Sequence, residues 1–185
     1  MKEVSVKIEH VFDYELKAKF IKEMYANIAV NISSEEISDS DVWVIHGKDE
    51  DKCYALMMLQ KKDEMGDETE GSVMITHFSL KPELFEQAIL LDLYLHIEAY
   101  YVNNAVDCVK IVFPKIKGFT TKATKFFKKI GFTKVIIHSH LHPDGAVLLI
   151  KPDLKKWYVE ENGEYKPRIE YKPRIKDSSG GIKIT

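Results

Sequence analysis

Arginine is nearly missing from this chain of 185 residues. Its 27 basic side chains include only two arginines, Arg168 and Arg174, and both lie close to the C-terminus. The long segment before them therefore has no guanidinium group, the side chain best suited to two-pronged binding of carboxylate or phosphate. The net charge of −2 provides no general positive field for nucleic acid or a membrane surface, so we expect neither as a partner.

Cysteines and long apolar runs are also scarce. The two cysteines, Cys53 and Cys108, are too few for a disulfide scaffold or a cysteine zinc site. Both lie in apolar stretches, so we interpret them as small buried residues in a reducing compartment. No stretch approaches the roughly 18 apolar residues of a membrane span, and the first ten residues lack the apolar core of a signal peptide. We therefore expect synthesis in the cytoplasm.

What the chain does contain is regular hydrophobic patterning. Hydrophobic residues make up 45% of it, enough for one domain, and period-two alternation marks strands while helical spacing marks helices. The predicted strands are 4–8, 41–46, 52–59, 72–80, 108–113, 132–138 and 146–150, and the predicted helices are 13–31, one starting at 33, 82–102 and 120–130. This β-α-α-β-β-β-α-β-α-β-β order predicts an α/β domain over residues 1–153, with a mixed sheet and helices on both faces.

One motif adds to that element order. The stretch Ala123-x-x-Phe126-Phe127-x-Lys129-Ile130-Gly131-Phe132, taken with the order, resembles the GNAT family of N-acetyltransferases over roughly residues 3–151. The resemblance implies a mostly antiparallel sheet of six to seven strands, acetyl-CoA as cofactor and an amine as acetyl acceptor. The chain is also similar to small GNAT-like proteins encoded by bacteriophages, which implies a virion or accessory component.

The segment that matches the family's cofactor loop departs from the family's glycine-rich pattern. That pattern lets backbone N–H groups at a helix N-terminus meet the pyrophosphate. Here Leu80–Gln87 contains no glycine, Pro82 lacks an N–H, and Glu83 and Glu86 add negative charge, with Lys81 as the one cation. We therefore expect no bound cofactor. If acetyl-CoA does bind, the resemblance assigns its contacts to Leu80, Lys81 and Phe126.

The catalytic groups implied by the resemblance are also altered. Phe127 stands where the family often has a tyrosine that protonates the leaving thiolate, and it has no hydroxyl. General acid catalysis is typically worth about 10²–10⁴-fold, so this change argues against efficient transfer. Candidate bases near predicted strand ends are Glu9, His10, His77 and Glu83. For an active enzyme, the assignment is His77, Glu83 and Tyr101.

Histidines occur at alternate positions in His138-x-His140-x-His142. Alternate strand residues share a face, so His138 and His140 could approach one metal ion. No neighbouring cysteine completes a ligand set, so we favour polar strand-end residues and expect no metal.

The C-terminal tail, residues 154–185, contains the hexapeptide EYKPRI twice in succession, at 164–169 and 170–175. Proline disfavours a helix or a central strand, and tyrosine, isoleucine and arginine are unusual in a plain spacer. An extended segment of this kind suits a groove or a sheet edge of a protein partner. We therefore predict partner contacts at Tyr165, Arg168, Tyr171 and Arg174.

The leading hypothesis is a non-catalytic or weakly catalytic GNAT-like binding protein anchored in an assembly by this tail. An active N-acetyltransferase is the alternative, and the oligomeric state stays open.

Overall fold

The computed structural model of this chain describes residues 2–27, 30–48, 52–63, 66–81, 89–114, 119–139, 142–168 and 179–184. Backbone contacts divide the chain into two compact units. The first contains Met1–Leu59, His77–Ile97 and Ile169–Thr185, and the second contains Gln60–Thr76 and Glu98–Arg168.

The first unit contains most of the N-terminal elements. They are β1 (Lys2–Val11), α1 (Tyr14–Tyr25), α2 (Ser34–Asp39), β2 (Asp41–Gly47), β3 (Cys53–Gln60), the end of β4 (Ser72–Leu80) from His77 onward, and most of α3 (Ile89–Asn103). The strand β10 (Ser179–Ile184) also belongs to this unit and pairs antiparallel with β1, so the strand order is β10-β1-β2-β3-β4. The predicted β2–β3 hairpin is confirmed, and its strands are antiparallel.

The two short helices of the first unit begin at side-chain caps. Asp13 accepts the backbone N–H of Leu16 at 2.9 Å, and Ser33 accepts that of Glu36 at 3.1 Å. Such caps satisfy N–H groups that have no partner within the helix. Helix α1 ends at Tyr25, and its predicted extension to Asn31 was wrong, because asparagine and β-branched residues beyond Tyr25 have weaker helix propensity.

The core of the first unit lies under α1. Phe20 and Met24 are buried as the helical spacing predicts, whereas Leu16 is 39% exposed. Every residue of β3 is buried, which matches its almost continuous apolar sequence. The Lys17 ammonium, also buried, donates to the Ser40 carbonyl at 2.7 Å and so ties α1 to the end of α2.

The second unit contains the remaining elements. They are the start of β4, the end of α3, β5 (Cys108–Pro114), α4 (Phe119–Lys129), β6 (Thr133–Ser139), β7 (His142–Lys151), a 3₁₀ turn (Leu154–Trp157), β8 (Tyr158–Glu161) and β9 (Glu164–Pro167). Its main strand order is β4-β5-β7-β6, and β8 and β9 form a separate antiparallel hairpin. The β4–β5 pairing is parallel, while β7 runs antiparallel to both β5 and β6.

The turn predicted at 143–145 lies inside β7 instead. Ser139 already pairs with His142, and the ladder is irregular between Ile137 and Ser139. Gly145 has φ +81°, a backbone conformation that marks strand irregularities as well as turns. The Pro-Asp-Gly pattern therefore reflects a local distortion of the strand.

Helix α4 ends at Gly131, as predicted. Gly131 has φ +100°, and the N–H of Phe132 reaches back to the carbonyl of Phe127 at 3.1 Å. This is the hydrogen bond of a glycine C-cap. A β-carbon at Gly131 would lie 2.6 Å from a ring carbon of Trp157, so the residue also leaves space for the indole.

A buried ion pair lies at the centre of the second unit. The Lys151 ammonium and the Glu98 carboxylate are 2.7 Å apart, and both side chains are 0% exposed. Tyr158 donates its hydroxyl to the other Glu98 oxygen at 3.1 Å, and the Lys151 ammonium lies 4.6 Å from the centre of a Trp157 ring. Burial lowers the pKa of Lys151, while Glu98 opposes that shift. Packing in this unit therefore continues past Asp153 to Tyr158.

The predicted fold class is confirmed: β1–β7 and the four helices follow the predicted order, and the strands are mostly antiparallel. Cys53 is buried as predicted, whereas Cys108 is half-buried, so its predicted full burial was wrong. None of the described helices is long and apolar enough to cross a membrane.

Lys151→Met is expected to lower the free energy of unfolding by about 3–5 kcal/mol, because it leaves the Glu98 carboxylate buried without its counterion. Lys156→Met is the matched control. Lys156 is 74% exposed and pairs with the exposed Asp153, so its loss should cost less than about 1 kcal/mol. Urea unfolding followed by circular dichroism measures both variants. Equal effects of the two substitutions would contradict a structural role for the buried pair.

Candidate functional site

His77 lies on the part of β4 that belongs to the first unit. Its Nδ1 is 3.4 Å from a carboxylate oxygen of Glu36 on α2, and its ring meets the Tyr25 ring edge-on at 6.1 Å. Burial lowers the pKa of His77 from its ordinary value of 6.5, and the nearby Glu36 charge partly opposes this. A neutral imidazole at pH 7 can accept a proton, so His77 has the chemistry of a general base.

Two weak acids of the first unit, Tyr25 and Cys53, have raised pKa values, and Tyr25 contacts His77. Burial raises the pKa of Tyr25 to about 12, with a smaller contribution from Cys53. Burial likewise raises the pKa of the Cys53 thiol to about 12, and the charge of Glu23 adds to that shift. A thiol this weakly acidic is a poor nucleophile at neutral pH. Cys53 is therefore a packing residue, as its sequence surroundings indicate.

Lys81, which directly follows β4, forms an ion pair with Glu23. Its ammonium is 2.7 Å from a Glu23 carboxylate oxygen, and the same carboxylate accepts the backbone N–H of Cys53 at 3.1 and 3.2 Å. The ammonium also lies 5.8 Å from the centre of the Tyr54 ring. The cation that the resemblance assigns to the cofactor, if acetyl-CoA binds, is thus paired within its own unit. Leu80 beside it is half-buried, and Glu83 lies outside the described residues.

The other residues assigned by the resemblance lie in the second unit. Tyr101 is buried, with its ring 5.3 Å from that of Tyr100. Phe126 is half-buried and packs edge-on against Phe127 at 5.0 Å. Phe127 is fully buried and also packs against Phe113 and Phe132. Position 127 is therefore part of an aromatic cluster in the core.

Glu9 and His10, the other candidate bases, form pairs on neighbouring strands. Glu9 binds Lys7 and also His46 at 2.9 Å, and these contacts, led by Lys7, lower its pKa. His10 is 3.2 Å from an Asp41 oxygen and stacks on Trp43 at 4.4 Å. Both residues have structural partners that account for their positions.

A pocket of about 430 Å³ opens beside α1 in the first unit. Its walls come from α1, the segment after it, and α2, and they include Lys22, Tyr25, Ile32 and Ile37. Tyr25 contacts both this pocket and His77. A small ligand in this pocket would therefore meet a mostly aliphatic surface with the phenol of Tyr25, the amide of Asn31 and the ammonium of Lys22.

The first hexapeptide copy is bound within the second unit. Tyr165 lies in β9, and its backbone makes two hydrogen bonds with the side-chain amide of Asn103. Arg168 is exposed, and its backbone N–H donates to the Trp157 carbonyl at 3.1 Å. Tyr171 and Arg174 lie outside the described residues. Their predicted contacts with a partner stay predictions, as do those of Tyr165 and Arg168.

Among the described residues, no three histidine, cysteine or acidic side chains are grouped as metal ligands. The side chains of His138 and His142 and all of His140 fall outside that description.

Sequence reasoning missed Glu23, Tyr25 and Asn103 as partners of the predicted residues. Each lies on a helix and meets a residue far along the chain, for which the sequence carries no local signal. Glu36 had a partial signal, because Ser33-x-x-Glu36 is a capping-box pattern. That pattern predicts a helix start and says nothing of His77.

No family model matches the chain, and no curated protein matches it. Solved structures do match in fold. The ribosomal-protein-S18-alanine N-acetyltransferase from Escherichia coli has 13% identity and a TM-score of 0.59 over 85% of this chain and 97% of its own. A Bacillus subtilis acetyltransferase in complex with CoA has 13% identity and a TM-score of 0.57, over 80% and 98%. A protein from Desulfovibrio desulfuricans assigned to the GNAT family has 8% identity and a TM-score of 0.61, over 80% and 98%.

The chain has the GNAT fold. At these identities the likeness shows the fold alone, and a fold of this kind does not fix an activity.

His77 is expected to titrate below 6.5 in NMR spectra of the folded protein, and Glu36→Gln should lower its pKa further because a favourable negative charge is removed. Below pH 6.5 the imidazole of His77 binds a proton more readily in the unfolded chain than in the folded one. The contribution of neutral His77 to the free energy of unfolding is therefore present above pH 6.5, and it is lost as the pH falls through the lowered pKa of the folded protein. His77→Gln should remove that part of the acid sensitivity. A His77 pKa above 6.5, or one unchanged in Glu36→Gln, would contradict this assignment.

Proposed function

We propose that this GNAT-fold chain works as a binding or structural protein rather than as an efficient acetyltransferase. Its C-terminal tail anchors it to a larger protein assembly. On the resemblance to small bacteriophage GNAT-like proteins, that assembly is a virion or an accessory complex of a phage.

The pairing of Lys81 with Glu23 carries this proposal. Lys81 is the one basic residue in Leu80–Gln87, which corresponds to the family's cofactor loop, and its ammonium is already neutralised at 2.7 Å. A pyrophosphate would have to displace the Glu23 carboxylate, which also satisfies the Cys53 N–H. Losing those contacts and bringing a phosphate close to a carboxylate are both unfavourable.

The packing of Phe127 supports the same conclusion. The side chain is fully buried among Phe113, Phe126 and Phe132. A tyrosine hydroxyl at that position would enter an apolar cluster and need a hydrogen-bond partner there. Position 127 therefore supports packing and supplies no proton to a leaving thiolate.

The tail provides chemistry suited to binding. Both arginines of the chain are in the tandem hexapeptide, each spaced three residues after a tyrosine. Tyrosine and arginine are the side chains most enriched among those that dominate interface energies. Their concentration in one segment favours partner binding over a spacer role.

A working N-acetyltransferase is the second candidate, and the His77 geometry favours it. A half-buried imidazole with a lowered pKa, close to the Glu36 carboxylate, is suited to deprotonating an amine. The pocket beside Tyr25 would then receive the acceptor. Acetylation of an amine that is lost in His77→Gln would support this candidate.

Calorimetric titration of the full chain with acetyl-CoA is expected to show no binding in the micromolar range. Glu23→Gln frees the Lys81 ammonium and should strengthen binding of CoA about tenfold or more, because a close carboxylate no longer competes with phosphate. Glu35→Gln, an exposed change in the first turn of α2, is the control and should have no effect. Micromolar binding by the unmodified chain would contradict the proposal and support the second candidate.

The double variant Tyr171→Ala, Arg174→Ala is expected to reduce cosedimentation with the partner assembly about tenfold or more, because truncating interface anchors of this type costs 2 kcal/mol or more. Tyr14→Ala is a matched control, since Tyr14 is an exposed tyrosine outside the tail. Unchanged cosedimentation of the tail variant would remove the second hexapeptide from the interface.

A further inference from the structure

The first hexapeptide copy is held by a defined set of side chains and backbone groups. We call this set the hexapeptide site; it consists of Asn103 at the end of α3, strand β8 (Tyr158–Glu161), and Lys155. The Asn103 amide donates to the Tyr165 carbonyl at 2.9 Å and accepts the Tyr165 N–H at 2.8 Å. The Lys155 ammonium lies 5.3 Å from the centre of the Tyr165 ring. One residue of the hexapeptide is thus recognised through both its backbone and its side chain.

The remaining contacts come from strand pairing. Glu164, Tyr165, Lys166 and Pro167 pair in order with Glu161, Glu160, Val159 and Tyr158. Lys166 also lies 3.1 Å from a Glu161 oxygen, and the Arg168 N–H donates to the Trp157 carbonyl. All of these contacts are made by five consecutive residues, 164–168, that belong to the repeated sequence.

The second copy carries the same five residues in the same order, at 170–174. Because the repeat is six residues long, an even number, a shift by one repeat returns each side chain to the same face of the strand. We propose that the hexapeptide site recognises the EYKPR sequence itself, and that the second copy of the same chain is its alternative occupant. The hairpin then has two registers, related by a shift of six residues.

Loop length determines which copy predominates. In the observed register β8 and β9 are joined by Asn162 and Gly163, with φ of +55° and +81°, which is the two-residue turn that suits a hairpin. With the second copy bound, the loop grows from two residues to eight. Loop-closure entropy then favours the first copy by about eightfold, and loss of the tight turn favours it further. The second copy is the minor occupant.

The two registers present different residues to a partner. With the first copy bound, the hexapeptide site holds Tyr165 and Arg168; with the second copy bound, it would hold Tyr171 and Arg174 in their place. The shift also shortens the connection from the bound copy to β10 from ten residues to four. A tail with two copies therefore keeps one copy bound and leaves one copy for a partner.

Disulfide trapping in the full-length chain tests the proposal. Directly opposed residues of an antiparallel pair have Cα atoms about 4.5–5.5 Å apart, which suits a disulfide. Glu160→Cys with Tyr165→Cys traps the observed register, because positions 160 and 165 are paired. Glu160→Cys with Tyr171→Cys traps the shifted register, and Glu160→Cys with Lys172→Cys, one residue out of register, is the control. Peptide mass spectrometry separates these bonds from any that involve Cys53 or Cys108.

At redox equilibrium, the 160–171 disulfide is expected at no more than about one-eighth of the 160–165 disulfide and above the 160–172 control. Tyr165→Pro removes the N–H that Asn103 accepts and should increase the 160–171 disulfide severalfold. Gly163→Ala strains the turn at φ +81° without crowding, since nothing lies within 4 Å of the added carbon. It should produce the same increase and serves if Tyr165→Pro fails to fold.

Three results would overturn the proposal. The first is a 160–171 disulfide no more abundant than the 160–172 control in a Gly163→Ala background that circular dichroism shows to be folded. The second is a 160–171 disulfide that does not increase in that variant. The third is a bond found only in dimers on non-reducing gels, which would place the second copy on another molecule.

Discussion

The buried pair of Lys151 and Glu98 constrains the segment that directly follows Asp153, as far as Tyr158. Taking two charges fully out of water is unfavourable unless their remaining hydrogen-bonding capacity is met. Glu98 obtains its second partner from the Tyr158 hydroxyl, and Lys151 faces the Trp157 ring. Both aromatic residues come from the segment after β7. Without that segment the ion pair would be open to water on one side, so the start of the tail is part of the folded unit.

That constraint also explains where the hairpin begins. The 3₁₀ turn at Leu154–Trp157 leads directly into β8, and Trp157 fills the space left by the missing β-carbon of Gly131. Glycine at 131 thus meets two needs, the positive φ that ends α4 and the approach of the indole. Once Trp157 and Tyr158 are fixed, β8 is fixed, and the first hexapeptide copy has an edge to pair with next to Asn103. Internal packing and peptide recognition therefore depend on the same few residues.

Much of this architecture was predictable from the sequence, because it rests on local patterns. Strand alternation, helix caps such as Asp13 and the glycine after α4 each act over a few residues. The contacts of Lys81 and of the first hexapeptide copy act over long separations. Glu23 meets Lys81 across 58 positions, and Asn103 meets Tyr165 across 62. No periodicity encodes such pairs, so Lys81 looked like a cation free for phosphate, and the first hexapeptide copy looked free for a partner.

The ammonium of Lys81, just beyond the end of β4, is paired with the carboxylate of Glu23 on α1. In the family pattern, glycines let backbone N–H groups at this place bind a phosphate of the cofactor. Here the chain supplies its own anion, Glu23, whose carboxylate satisfies both the Lys81 ammonium and the Cys53 N–H. An internal anion is present at all times and requires no loss of ligand entropy, so it competes strongly with any external phosphate. Under the function we propose, partner binding falls to the tail, where the hexapeptide is doubled and β8 pairs with one copy at a time.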